Sequence, residues 1–245
     1  MDKLTLGWLY PDIFNLHGER GSVQALMKAG EDLGVPMELR RIEDPADGIP
    51  FPELDIAILL PGEIKSFQYV QPALEAKRAE LEAFLDRGGY LIALGTSGLM
   101  FGRSIQREDG TVREGLGLLD MTARERKYVW ADDLHFRLND NKMEITGCHV
   151  MMADVEAAAP LGTTIFGRGN NDTGAEGARY KNLIYTNCVG PVFVKNPWWA
   201  EDILTDICLR KYLGLTRKGA WPIPSASFDT TLRWIARKPR LPEEH

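Results

Sequence analysis

The sequence is poor in cysteine and carries no basic excess. Three cysteines stand in 245 residues, at Cys148, Cys188 and Cys208. Their odd number, wide spacing and apolar surroundings argue against a disulfide framework or a zinc site and fit reduced thiols in a core. Lysine plus arginine number 29 against 35 aspartate plus glutamate, a formal net charge of -6. Binding to nucleic acid or an anionic membrane needs a concentrated basic face, and none is evident. No apolar stretch is long enough to span a bilayer, and Met1–Tyr10 lacks the apolar segment and small-residue cleavage site of a secretory signal, so a cytoplasmic location is expected. No metal and no cofactor are expected.

What is present suits a large α/β domain. The chain is 44% hydrophobic and 26% charged, enough to bury a sizeable core. Residues 1–215 read as one domain and 216–245 as a tail. In that tail Thr230–Lys238 reads as a short helix that leaves Leu232, Trp234 and Ile235 exposed unless they are covered. It is a candidate docking element, and packing on its own domain is equally open.

The chain is organised around Gly89–Gly102. Tyr90–Leu94 fits a buried strand, Gly95–Gly98 a tight polar turn, and Leu99–Phe101 the start of a new apolar face. Such a strand-turn-helix elbow lifts one side chain out at the C-terminal edge of a sheet, where a nucleophile and oxyanion-binding amides can meet. Upstream, Leu4–Tyr10, Met37–Ile42 and Leu54–Leu60 read as strands. A helix capped by Ser22 lies between the first two, and a second over Pro72–Arg87 follows the third and leads into the elbow. This order predicts a mostly parallel sheet with right-handed crossovers. Beyond Gly102, Tyr128–Trp130, Leu134–Leu138, Met143–Gly147 and Thr163–Phe166 read as short strands of an antiparallel extension. Leu183–Thr186 then reads as a strand and Pro197–Tyr212 as a helix.

Several segments taken together resemble one family. Tyr10-Pro11-Asp12 followed by Asn15-Leu16-His17-Gly18-Glu19-Arg20-Gly21 is similar to the opening signature of the cobyric-acid-synthase-like class I glutamine amidotransferases. Gly115–Asp120, Gly169-Asn170-Asn171, Gly174–Gly177, Tyr180-Lys181-Asn182, Gly190-Pro191 and Lys195-Asn196-Pro197 follow in the family's order. Within that family the chain is most similar to the glutaminase subunits of lipid II isoglutaminyl synthase. The resemblance implies a flavodoxin-like three-layer α/β fold, mostly parallel with an antiparallel extension. It also implies a subunit that releases ammonia from glutamine for a Mur-ligase-like ATP-dependent partner in cell-wall precursor metabolism. The family chemistry uses a Cys thiolate at the elbow, a His as acid and base, and backbone amides around the oxyanion.

The departures fall on those roles. Alignment on Gly102 places Gly95 at the nucleophile position, and alignment on Gly190-Pro191 places Val189 at the His position. The oxyanion turn reads Leu60-Pro61-Gly62-Glu63, in which Pro61 has no N–H and Glu63 brings negative charge. The Glu-Asn segment of the family is replaced by Gly147–Met152. These changes point to a glutaminase scaffold without standard hydrolysis, serving as a binding or scaffold subunit. Other readings stay open. Ser97 or Thr96 is a replacement hydroxyl nucleophile for amide or ester hydrolysis, and Gly62 with Thr96, Ser97 and Gly98 is a site for glutamine or a small anion, joined by Arg126 or Arg20. Cys188 adjoins Val189 but points to the opposite face. His135 and His149 are surface or satisfied core residues unless folding brings them to the elbow, and His17 is structural or faces a partner.

Overall fold

The computed structural model describes residues 3–215 and 220–238. Its first half alternates strand and helix as the apolar runs require. β1 (Leu4–Leu9), α1 (Arg20–Leu33), β2 (Met37–Ile42), β3 (Ile56–Leu59), α2 (Phe67–Ala76), α3 (Arg78–Asp86) and β4 (Tyr90–Leu94) follow in chain order. The second half is richer in β-structure, with β5 (Ser104–Gln106), β6 (Val112–Glu114), β7 (Met121–Leu138), β8 (Glu144–Ala157), β9 (Gly162–Phe166), β10 (Ala175–Glu176), β11 (Ala178–Tyr180), β12 (Leu183–Thr186) and β13 (Cys188–Val189). The helices α4 (Val192–Lys195), α5 (Pro197–Arg210) and α6 (Pro222–Ile235) close it.

The main sheet has the order β11-β12-β4-β3-β1-β2, parallel except for β11. Strand alternation divides the core into two faces. Leu4, Leu6, Ile56, Ile58, Ile92 and Leu94 pack under Val23 and Leu26 of α1 and Trp199 and Ile203 of α5. Leu9, Ala57, Leu59, Leu91 and Ala93 pack under Phe67 and Leu74 of α2 and Leu81 and Phe84 of α3. The result is a three-layer sandwich whose parallel order is flavodoxin-like. The second sheet is built on β7, which pairs with β5, β8 and β9. It forms the extension, antiparallel except where β5 runs parallel to β7.

The structure corrects several local expectations. Ser22 lies inside α1, which starts at Arg20, and its hydroxyl donates to Glu19 at 2.7 Å instead of capping the helix. The helix expected over Pro72–Arg87 starts earlier, at Phe67, and is two helices, because the chain tightens into a turn at Lys77, whose N–H bonds Leu74 O. Of the short strands expected in the extension, Thr163–Phe166 is found as β9, while Tyr128–Trp130 and Leu134–Leu138 belong to one long strand, β7, and Met143–Gly147 opens another, β8; β7 carries a register shift between Glu125 and Trp130. That bulge disturbs the alternation and hides the continuity of β7 from the sequence. In α5, Trp199 enters the core while Trp198 stays at its edge, donating to Glu144 O at 3.2 Å.

The tail residues 216–219 and 239–245 lie outside the described residues. The helix expected at Thr230–Lys238 starts earlier, as α6, and rests on the domain that precedes it. Phe228 meets Trp198 at 5.3 Å and His135 at 6.1 Å between ring centroids. Trp234 Nε1 donates to Asp133 at 3.1 Å, and Lys238 pairs with Asp132 and Asp133, each at 2.6 Å. Ile235 is buried, Leu232 is half-buried, and Trp234 stays exposed. No helix among the described residues is long and apolar enough to cross a membrane.

Candidate functional site

The open parallel sheet brings the ends of β1, β3 and β4 together at one edge, the usual place for a ligand in such a fold. β4 runs into Gly95–Phe101, a 3-10 helix of seven residues and not the α-helix that the elbow pattern suggested. Gly95 takes φ +58, the left-handed region that an L side chain rarely adopts. A Cβ placed there would stand 3.0 Å from Pro61 Cγ and 3.5 Å from Val189 Cγ1. The fold therefore sets Gly95 and Val189 against each other, with neither thiol nor imidazole between them.

The hydroxyls of the elbow are turned inward. Thr96 Oγ1 donates to Gly62 O at 2.5 Å and accepts from Gly62 N at 3.1 Å, so the amide of the oxyanion turn already has a partner. Ser97 is fully buried, and its hydroxyl lies 3.0 Å from Leu59 O and 2.9 Å from Leu94 O, where it fastens the ends of β3 and β4. Gly95 to Gly98 are all buried. This geometry speaks against both open readings of the elbow, since neither hydroxyl is paired with a base or free for an anion.

The other candidates are separated by strand alternation. Val189 pairs with Cys148 and Cys188 with His149 across β13 and β8, so each pair has its own face. Cys188 is wholly buried, and burial pushes its thiol well up. Cys148 departs from the core-thiol reading. It is half-buried, and Lys195 Nζ donates to its Sγ at 3.4 Å. Its neighbour in sequence, His149, is buried with Nε2 3.3 Å from Glu176 Oε2, a core histidine outside the elbow. His135 faces Glu144 at 3.1 Å. Arg126 is held by Asp154 at 2.7 Å. It does not line the cleft described below, and Arg20 is exposed on the first turn of α1.

The motif residues build a buried frame around this edge. Asn170 clamps Gly177 through both of its amide atoms, accepting from Gly177 N at 2.7 Å and donating to Gly177 O at 2.9 Å. Gly177 has φ +62, and a Cβ there would come within 2.1 Å of Tyr185 O, so only glycine fits. Glu176 accepts from Thr186 Oγ1 and Asn187 N, each at 2.7 Å. Glu19 accepts from Ser22 Oγ at 2.7 Å, Val192 N at 3.3 Å and Gly190 N, tying the first loop to the Gly190-Pro191 turn. Burial raises the Glu19 carboxyl above its ordinary range, partly offset by these donors.

Above the elbow lies a cleft of about 390 Å³. Thr96 and Gly62 border it, and Leu16, Ile64, Val129, Val150 and Met152 form apolar walls. Its charged lining residues pair with each other, Arg107 with Glu125 at 2.6 Å and Lys65 with Glu63. His17 completes the mouth, its imidazole pKa lowered by desolvation. Sequence reasoning reached the Gly147–Met152 segment but missed the rest of these walls. The alternation Cys148, Val150, Met152 along β8 is the signal that one face of the strand points here, while Met151 enters the core. Among the described residues no group of three or more His, Cys, Asp or Glu side chains is placed to hold a metal ion.

No family model matches the chain. It is 27% identical over 213 residues to the lipid II isoglutaminyl synthase (glutamine-hydrolyzing) subunit GatD of Staphylococcus aureus, covering 86% of this chain and 87% of that protein. To the subunit of the same name from Streptococcus pneumoniae it is 24% identical over 219 residues, covering 86% and 82%. A crystal structure of a glutamine amidotransferase from Thermotoga maritima superposes with a TM-score of 0.53 at 11% identity, covering 96% of this chain and 93% of that one. The chain is thus GatD-like in sequence and has the class I glutamine amidotransferase fold.

Proposed function

We propose that this GatD-like chain is a glutamine amidotransferase subunit that has lost glutamine hydrolysis by the Cys/His route. In this reading it serves as a non-catalytic binding or scaffold partner of a Mur-ligase-like ATP-dependent enzyme that amidates a cell-wall precursor in the cytoplasm. The observation that carries the reading is Gly95 facing Val189 at the elbow, a Cβ at 95 falling 3.5 Å from Val189 Cγ1. A thiolate attack needs a thiol and a proton carrier at these two points, and glycine and valine supply neither. The Thr96 clasp on Gly62 adds to it, because an oxyanion arriving at that amide would have to displace a buried hydroxyl.

Similarity to subunits whose name includes glutamine hydrolysis supports the partner half of this reading. The glutaminase half separates this chain from them. Residues 1–215 would carry the subunit function, with the tail from 216 onward as its appended element. The test is ammonia release from glutamine by the purified chain, alone and with the ligase that co-purifies with it. No release in either state is expected, and turnover by the unaltered chain would refute the reading. Retention of the ligase through size-exclusion chromatography is the second expected result.

A further inference from the structure

We propose that the cleft above the elbow takes an uncharged, mainly apolar small molecule and discriminates against free amino acids, glutamine included. This rests on the reading that glutamine turnover is lost, and it adds what the vacated space accepts instead. The cleft's volume of about 390 Å³ lies in the range of roughly 300–1,000 Å³ typical of small-molecule sites, which are lined mainly by apolar side chains with few polar groups. Leu16, Ile64, Val129, Val150 and Met152 supply such a lining.

Its charge pattern selects the ligand class. A free amino acid brings an ammonium and a carboxylate, and each must find an opposite charge or stay in water. Arg107, Glu125, Lys65 and Glu63 of the lining pair among themselves, and His17, the remaining ionisable side chain there, has its imidazole pKa lowered by desolvation. Arg107 grips Glu125 through two nitrogens, at 2.6 and 3.4 Å, with both side chains half-buried, and Lys65 holds Glu63 at the exposed rim. A zwitterion inside the cleft would have to open the half-buried Arg107–Glu125 pair, since the exposed Lys65–Glu63 pair is solvated at the rim, and would leave a charge there without a partner. The hydroxyl that borders the cleft, on Thr96, is engaged on both sides by Gly62. An apolar ligand meets none of these obstacles and removes the walls from water.

The experiment titrates the full chain with indole and separately with L-glutamine, by calorimetry and saturation-transfer NMR. Ammonia release is measured on the same samples. Val150→Glu places a carboxylate on the half-buried cleft wall, and Leu16→Ser alters the exposed mouth in case the first variant fails to fold. Arg124→Ala, outside the cleft, is the control. Expected are saturable indole binding, weakened at least tenfold by Val150→Glu and several-fold by Leu16→Ser, no change in the control, and no binding of glutamine. Indole binding indifferent to both cleft variants, no indole binding, or glutamine displacing indole would overturn the proposal. Ammonia release by the unaltered chain would instead overturn the lost-glutaminase reading, so the two failures are distinct.

Discussion

Replacing Thr96 by valine keeps the shape of the side chain and removes one oxygen, which isolates the role of its clasp on Gly62. In the unaltered chain that oxygen satisfies Gly62 N at 3.1 Å and donates to Gly62 O at 2.5 Å, all within buried surroundings. The valine leaves a buried N–H without a partner, a loss of about 1–3 kcal/mol. For a chain of this size each kcal/mol lowers Tm by roughly 2–4 °C, so Thr96→Val is expected to melt about 2–12 °C lower. Calorimetry reads this shift, and ammonia release from glutamine read beside it stays at background in both proteins. An unchanged Tm together with a basal glutaminase activity that Thr96→Val abolishes would refute the reasoning. It would make the hydroxyl a nucleophile instead of a clasp.

The remaining predictions probe the positions around this clasp. The pair Gly95→Cys and Val189→His restores the groups but not the turn. It is expected to release no ammonia while Thr96 holds Gly62, and to lose roughly 1–2 kcal/mol because residue 95 sits at φ +58; glutamine turnover by this variant would refute the blocked-turn argument. Asn170→Ala removes both bonds to Gly177 and should cost about 2–4 kcal/mol, read as a lower urea midpoint. Glu19 has a raised carboxyl pKa, so its proton is held more tightly in the folded state and its contribution falls as pH rises from the ordinary glutamate range through the raised value. The Tm of Glu19→Gln minus that of the unaltered chain should therefore be more positive at pH 8 than at pH 5, and a difference of opposite slope contradicts the assignment. Phe228→Ala takes away the ring contacts with Trp198 and His135, worth about 1–2 kcal/mol. It should speed hydrogen exchange in 222–235 without changing exchange in β1 or β4.

The parallel half of the fold was legible because its strands are buried on both faces and appear as continuous apolar runs, as in Ile56–Leu59 and Tyr90–Leu94. The glycine that ends β4 was legible too, since a left-handed residue directly after a strand favours glycine and the pattern around Gly95 is dense in it. What stayed hidden depends on partners distant in sequence. Nothing near Thr96 announces Gly62, 34 residues away, as the group its hydroxyl would hold. Cys148 looked like a core thiol because its neighbours are apolar, and only the fold brings Lys195 beside it. The length of β7 was masked by the bulge between Glu125 and Trp130, which carries Lys127, Tyr128 and Val129 out of register.

These two groups of residues divide along a physical line. Asn170, Glu176 and Gly177 lie in one set of buried hydrogen bonds that ties the two sheets together, and Glu19 and Gly190 in a second that ties the first loop to the Gly190-Pro191 turn. Altering the side chains of Asn170, Glu176 or Glu19 leaves a donor or acceptor unpaired, and a Cβ at Gly177 or Gly190 meets a left-handed backbone, so substitution there is costly whatever the protein does. Gly95 and Val189 carry no such duty, because a glycine at φ +58 is relaxed and a valine packs well on its strand. Chemical groups at those two positions would be kept only by a need for catalysis, and the frame by folding alone. Under the proposed reading the frame therefore outlasts the chemistry, and the apolar walls at Val150 and Met152 suit the uncharged ligand proposed for the cleft.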